Sequence, residues 1–199
     1  MKIRVERKGS GFRIPKDLAP FFNQAKDYGI SSTIRKINRG INPPNAPLTQ
    51  AVKKGNKTLR DRGLLMGSIT GKSDNRSAEV GTNYGPARIL HEGGTIKAKK
   101  SYLYIPAGAK TRSLMRSYGS TPGSCISAMK SKGYTIWRQG RTVMARKRGG
   151  KKAGDPFVLF FLKKEVKIPA RPFLYIDKTD RKIFFRMFRD FVTGRMKNE

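Results

Sequence analysis

The residues best suited to chemistry are Gly67-Ser68-Ile69-Thr70-Gly71-Lys72-Ser73, the pair His91-Glu92, and Cys125. A phosphate-cradling P-loop needs four residues between its glycines, a strand before it and a helix after it. Here the gap is three, the element leading in reads as helix and a turn follows, so no nucleotide site is expected. Proton transfer or metal binding at His91-Glu92 would need convergent partners. His91 is the only histidine, and Cys125 lies in a separate segment, so His91 is expected to be a structural residue near a helix end. Asp74, Glu79 and Glu92 are spread over a ribbon and a helix and make no acid–base pair. Cys125 has neither the local motif nor the nearby histidine of a nucleophile. As the only cysteine it forms no intrachain disulfide, and a reducing compartment is expected. No catalysis, cofactor, metal or small-molecule substrate is expected.

These residues sit in or beside one block, Leu59 to Gly94, around which the chain is organised. It reads as a short helix, a tight hairpin and a second short helix. Leu59, Leu64, Leu65 and Ile69 supply apolar faces, and Gly63, Gly67 and Gly71 punctuate them. Ser73-Asp74-Asn75-Arg76 is a polar turn between Ser68-Ile69-Thr70 and Ala78-Glu79-Val80. Gly81-Thr82-Asn83 is expected to break the second strand and cap a helix before Pro86.

Charge is the outstanding bulk property. Lys and Arg number 44 against 13 Asp and Glu in 199 residues, a formal charge of +31. Such a chain repels itself unless an anionic partner or an acidic neighbouring subunit shields it. From Gly93 to Gly154 there is no acidic residue against fifteen Lys and Arg. Within that stretch Tyr134 and Trp137 interleave with Arg138 and Arg141, an arrangement able to meet bases as well as phosphates, and equally readable as the core face and the solvated face of a strand. Tyr134–Arg138 and Thr142–Ala145 read as hairpin strands joined by Gln139-Gly140-Arg141. Arg146-Lys147-Arg148-Gly149-Gly150-Lys151-Lys152 is expected to be a mobile loop. Arg138, Arg141, Arg146, Lys147, Arg148, Lys151 and Lys152 are therefore the candidates for contact with DNA or another anionic surface, by sequence-independent phosphate contact. The N-terminus has no apolar leader and no run approaches a membrane span, so a soluble protein made in the cytoplasm is expected.

The remaining elements follow from periodicity. Lys2 to Arg7 alternates as a half-buried strand, broken at Ser10-Gly11. Asp17 is placed to cap a helix carrying Leu18, Phe21 and Phe22 that Gly29 stops. Ser31 or Ser32 would cap another, with Ile34 and Ile37 on one face and Gly40 closing it. Asn42-Pro43-Pro44-Asn45-Ala46-Pro47 is a connector, and helix resumes at Leu48. Phe157–Leu162 is a continuous apolar strand, with Lys163–Ile168 alternating beside it. In Ile168-Pro169-Ala170-Arg171-Pro172-Phe173-Leu174 two prolines enforce an extended segment that sends Phe173 into a core and Arg171 another way. Asp177 or Thr179 caps the last helix, where Phe184, Met187, Phe188, Phe191 and Val192 form an apolar stripe that Gly194 ends. The whole reads as a single α+β domain over 1–199. It combines a small mixed or antiparallel sheet, flanking helices, a β-rich basic excursion over 96–167 and a C-terminal amphipathic helix.

Several of these motifs, in this order, carry a resemblance. Pro47-Leu48-Thr49, then Leu59 to Ile69 ending Gly-Leu-Leu-Met-Gly-Ser-Ile, then Val80-Gly81-Thr82-Asn83, His91-Glu92-Gly93-Gly94, and Pro169-Ala170-Arg171-Pro172-Phe173-Leu174 before an amphipathic helix resemble the phage virion morphogenesis family. That is the Mu-type protein G group, similar in turn to tail-completion and neck proteins of tailed phages. The order of the motifs is more telling than any one of them. The resemblance implies a non-catalytic virion subunit forming a ring, a hexamer, at the head–tail junction or upper tail end, in contact with other neck or tail proteins, its positive charge facing either DNA in the channel or acidic neighbours in the neck. It implies no membrane partner. Leu65, Ile69, His91, Pro169, Arg171, Pro172 and Phe173 are the structural anchors of that reading. The alternative is a free basic nucleic-acid-binding protein.

Overall fold

The computed structural model describes residues 1–5, 15–53, 55–149 and 154–194. In chain order its elements are β1 (Lys2–Arg4), α1 (Ala19–Arg39), α2 (Pro47–Val52), α3 (Leu64–Gly67), β2 (Ile69–Ser73), β3 (Ser77–Thr82), α4 (Ala87–Glu92) and β4 (Gly94–Lys97). They continue with β5 (Leu103–Pro106), α5 (Ala109–Tyr118), α6 (Pro122–Ser131), β6 (Tyr134–Gln139), β7 (Thr142–Lys147), β8 (Phe157–Lys163), β9 (Glu165–Ile168) and α7 (Lys178–Val192). The class is α+β as expected, with three small antiparallel sheets where one was expected. Contacts divide the chain into two compact units. The first comprises Met1–Pro44, Lys57–Gly93 and Pro169–Glu199, and the second Asn45–Asn56 and Gly94–Ile168.

The first unit is built on α1. This is one continuous helix, not two, and Gly29 lies inside it. A Cβ at Gly29 would stand 3.0 Å from Val80 Cγ2 and 3.1 Å from Met1 Cε. The missing side chain therefore serves close packing of β3 on the helix, and it does not end the helix. Nor does Ser32 cap anything, since its hydroxyl donates to the Asp180 carboxylate at 2.6 Å. Asp17 does assist the start, accepting from the Ala19 amide at 2.9 Å. The sheet order is β1-β3-β2. Asp74 Oδ1 turns the β2–β3 hairpin by accepting from the amides of Arg76 at 2.6 Å and Ser77 at 2.7 Å, an Asx turn. The expected break at Gly81-Thr82 does not occur until after Thr82. Gly81 pairs with Thr70 and Thr82 with Ile69, and the Ser68 and Thr82 hydroxyls meet at 2.6 Å. The first helix of the block is confined to α3, and β1 ends at Arg4, leaving Val5, expected in the strand, beyond it. The expected strand residues Glu6 and Arg7 and the Ser10-Gly11 break lie outside the described residues.

Two clusters fill this unit. Ile3, Leu18, Phe21, Phe22, Ala25, Ala78 and Phe184 form one, against which Met187, Phe188 and Phe191 of the α7 stripe pack. Ile37, Leu65, Ile69, Val80, Ala87 and Phe173 form the other. Asp177 caps α7 in a reciprocal box with Asp180, which joins that helix's first turn to the α1 network described below.

The second unit holds a sheet in the order β5-β8-β7-β6 and a separate two-stranded ribbon, β4-β9. Phe157–Lys163 is one of its two inner strands, with Leu159, Phe160 and Leu162 buried. β9 leaves β8 after Lys164 and pairs with β4, so Lys163–Ile168 does not run beside the apolar strand. The helices α5 and α6 cover one face through Leu114, Met115, Cys125 and Met129. α6 is announced by Thr121-Pro122-Gly123-Ser124, in which Thr121 Oγ1 accepts from the Ser124 amide at 3.2 Å and Pro122 opens the helix.

Candidate functional site

The residues first considered for chemistry are tied into structure. Gly67 ends α3, and Gly71 and Lys72 lie in β2, where Lys72 reaches Glu79 at 3.4 Å. No phosphate-cradling loop is formed. Cys125 is fully buried against Met129, with sulfur atoms 3.8 Å apart, and burial pushes its thiol pKa up. His91 Nδ1 accepts from the Phe173 amide at 3.2 Å and the Leu174 amide at 3.5 Å, and its ring stands edge-on to Phe173 at 5.1 Å. That nitrogen is committed to backbone. Among the described residues no group of three or more His, Cys, Asp or Glu is placed to hold a metal ion.

Around His91 the expected anchors converge. The Pro169–Leu174 segment straps the second cluster, with Phe173 fully buried beside Leu65 and Ile69. Arg171 is buried as well, which the sequence reading missed. Its amide donates to Leu90 O at 3.0 Å, while Nε and Nη2 donate to the carbonyls of Pro43 at 2.8 Å and Pro44 at 2.9 Å. Burial lowers the pKa of this guanidinium from its usual value. The fork of an arginine suits two adjacent carbonyls. A Pro-Pro pair offers such carbonyls on a backbone whose nitrogens cannot donate. Pro169 and Pro172 are exposed and shape the strap without packing.

A second buried polar group had no forerunner in the sequence reading. Asp180 accepts from Ser32 and Tyr28, the latter at 3.1 Å, from the Asp177 amide at 3.0 Å, and from the Lys36 ammonium. Lys36 also donates to Tyr175 O at 2.7 Å and lies over the Tyr175 ring at 4.3 Å. Burial raises the Asp180 pKa, but the hydrogen bonds from Lys36, Ser32 and the Asp177 amide, with the Lys36 charge, outweigh it and bring it down to about 2. Burial and the neighbouring Asp180 raise the Tyr28 phenol. The available signal was the placement of Ser32 and Lys36 one turn apart, in line with Gly29 on the packed side of α1.

The basic candidates divide by strand alternation. β6 pairs with β7 so that Thr135 opposes Arg146, Ile136 opposes Ala145, and Trp137 opposes Met144. Tyr134 and Ile136 pack on the core beneath, so Trp137 faces the other way. The four residues read together as one aromatic and basic surface are thus on two faces. Arg138 belongs with Tyr134. It lies 4.8 Å over the Tyr102 ring and donates to its hydroxyl at 3.2 Å, pulling the Tyr102 pKa down. Arg141 is exposed in the turn, where its carbonyl accepts from Leu162. Arg146 and Lys147 do not belong to a loop: they extend β7, opposite Thr135 and Tyr134, because a solvent-facing strand rim tolerates long charged side chains. Arg148 follows, its amide bonded to Gly133 O at 2.7 Å and its Nε to Thr135 Oγ1 at 2.9 Å. Lys151 and Lys152 lie outside the described residues.

Among the described residues no helix is long and apolar enough to cross a membrane. Comparison with protein-family models, with curated proteins and with solved structures finds no match to this chain.

Proposed function

We propose that this protein is a non-catalytic structural subunit of a tailed-phage virion, forming a ring, a hexamer, at the neck or the upper end of the tail. The observation that carries the reading is the strap. Two motifs on which the family resemblance rests, His91-Glu92-Gly93-Gly94 and Pro169–Leu174, are far apart in sequence yet meet where His91 accepts from the Phe173 amide, and Arg171 of the second ties it to the carbonyls of Pro43 and Pro44. Motifs that meet to clamp backbone serve architecture. Exposed pairing surface supports the same reading. Among the described residues β5 and β6 are sheet edges, and the β4–β9 ribbon is two-stranded with Ile96 40% exposed. Isolated two-stranded ribbons are marginal in water, and a neighbouring copy in a ring covers such edges by strand addition.

Light scattering on the purified chain, followed by electron microscopy of particles with the subunit labelled, tests this. The expected result is a closed ring, formed alone or on the tail, at one end of the tail tube. A chain that stays monomeric at high concentration and is absent from the particle overturns it. The formal charge of +31 favours a second reading, a free nucleic-acid binder. That protein would show salt-sensitive DNA affinity without any ring.

A further inference from the structure

We propose that the outward face of the β6–β7 hairpin is a binding site for single-stranded nucleic acid, with a base stacked on Trp137 and phosphates held by Arg146 and Arg148. The site is a hollow of about 470 Å³ lined by Thr135, Trp137, Arg146, Arg148 and Gly149. Its floor is fixed by strand register, Thr135 opposite Arg146 and Trp137 opposite Met144. The indole belongs to none of the buried clusters. It is a half-buried ring on a rigid two-stranded support, while its neighbours Tyr134 and Ile136 serve the core. Arg148 is held over the hollow by its bond to Thr135 Oγ1 at 2.9 Å, which leaves the rest of its guanidinium for a ligand. Among the described residues Arg146 has no carboxylate partner, and the sequence from Gly93 to Gly154 supplies none.

Charge therefore selects an anion, and the ring selects which one. A phosphate alone, or an acidic peptide, has no use for an aromatic wall beside two arginines. An unpaired base with its flanking phosphates uses both, because every base presents a π-face and stacking tolerates any sequence. A duplex hides those faces inside its stack. The site stands apart from the ring reading, since a channel lining and a free binder would both employ it.

Trp137 is the only tryptophan, so indole fluorescence, excited at the red edge where tyrosine does not absorb, reports on this hollow alone. Titration with oligothymidylate is expected to quench it, with affinity falling as salt rises by about 0.7 logarithmic units per phosphate neutralised. By anisotropy of a labelled strand, Trp137→Ala should weaken binding roughly 5- to 150-fold, with Trp137→Phe between it and the native protein. Arg146→Ala and Arg148→Ala should each lower the salt slope by about 0.7. Arg138→Ala, which removes the same charge from the opposite face, should leave the quenching amplitude unchanged. Circular dichroism confirms folding of each variant, and the exposure of Arg146 and Arg148 makes that the expected result. Absence of quenching, equal quenching by duplex DNA or polyglutamate, or slopes indifferent to Arg146 and Arg148 would overturn the assignment.

Discussion

Replacing Lys36 by methionine isolates the buried charge that links α1 to α7. Lys36 is 7% exposed and Asp180 3%, so neither charge has solvent to fall back on. In the native protein the Asp180 carboxyl sits at about 2 against an ordinary 3.8. A depressed carboxyl contributes stability above its unfolded value and loses it as pH falls through the folded value. At 1.36 kcal/mol per pH unit, that contribution is ~2.5 kcal/mol above pH 4, disappearing toward pH 2. Lys36→Met leaves a buried carboxylate served only by neutral donors, and breaking one side of such a pair costs about 3–5 kcal/mol at pH 7. Without the ammonium, burial governs the carboxyl and raises its pKa, so the variant recovers as it protonates. The gap between native and variant stability, read from urea unfolding at pH 7, 5 and 3, should therefore narrow on acidification. The double variant Lys36→Met with Asp180→Asn, carrying neither charge, should regain most of the loss at pH 7. A Lys36→Met penalty below about 1 kcal/mol, or one equal at pH 3 and pH 7, would refute the argument.

Other expectations concern the strap and the first sheet. Phe173→Ala should cost about 3–5 kcal/mol in chemical unfolding by opening a cavity among Ile37, Leu65, Ile69 and Val80; native-like melting would count against the anchor. Arg171→Lys keeps the charge but cannot span the Pro43 and Pro44 carbonyls, and a loss of about 1.5–3 kcal/mol is expected. Equal stability would mean the fork is dispensable. Gly71→Ala should destabilise by about 1–3 kcal/mol, because its Cβ would come within 2.7 Å of Glu79 O. Gly67→Ala, with nothing within 4 Å, serves as the tolerant control in the same thermal scan.

What sequence could reveal here followed the range of the interaction. Both hairpins were legible because alternation and a polar turn are local signals, and the α7 stripe was legible for the same reason. Helices α5 and α6 were not. α5 carries Leu114 and Met115 among basic and hydroxyl residues, which leaves too thin a stripe, and the Thr121-Pro122 start of α6 was passed over. Gly29 misled because a glycine in a helix interior usually weakens it, and only the approach of Val80 explains its place. The interleaving of Tyr134 and Trp137 with arginines was visible, but strand register decides which side chains share a face. Arg171 and Asp180 were beyond reach, since their partners Pro43 and Lys36 lie 128 and 144 residues away.

The way the chain crosses between its two units has a consequence for how it can vary. Gly94 pairs with Ile168, so the long segment of the second unit departs and returns through adjoining residues. The short one does likewise, where Asn45 Nδ2 donates to Asn56 O at 3.0 Å. Each segment is thus a closed detour with neighbouring ends, and because Arg112 of α5 donates to Val52 O of α2 the two would have to be grafted together. The body built on α1 and the strap makes no demand on these detours beyond holding their ends together.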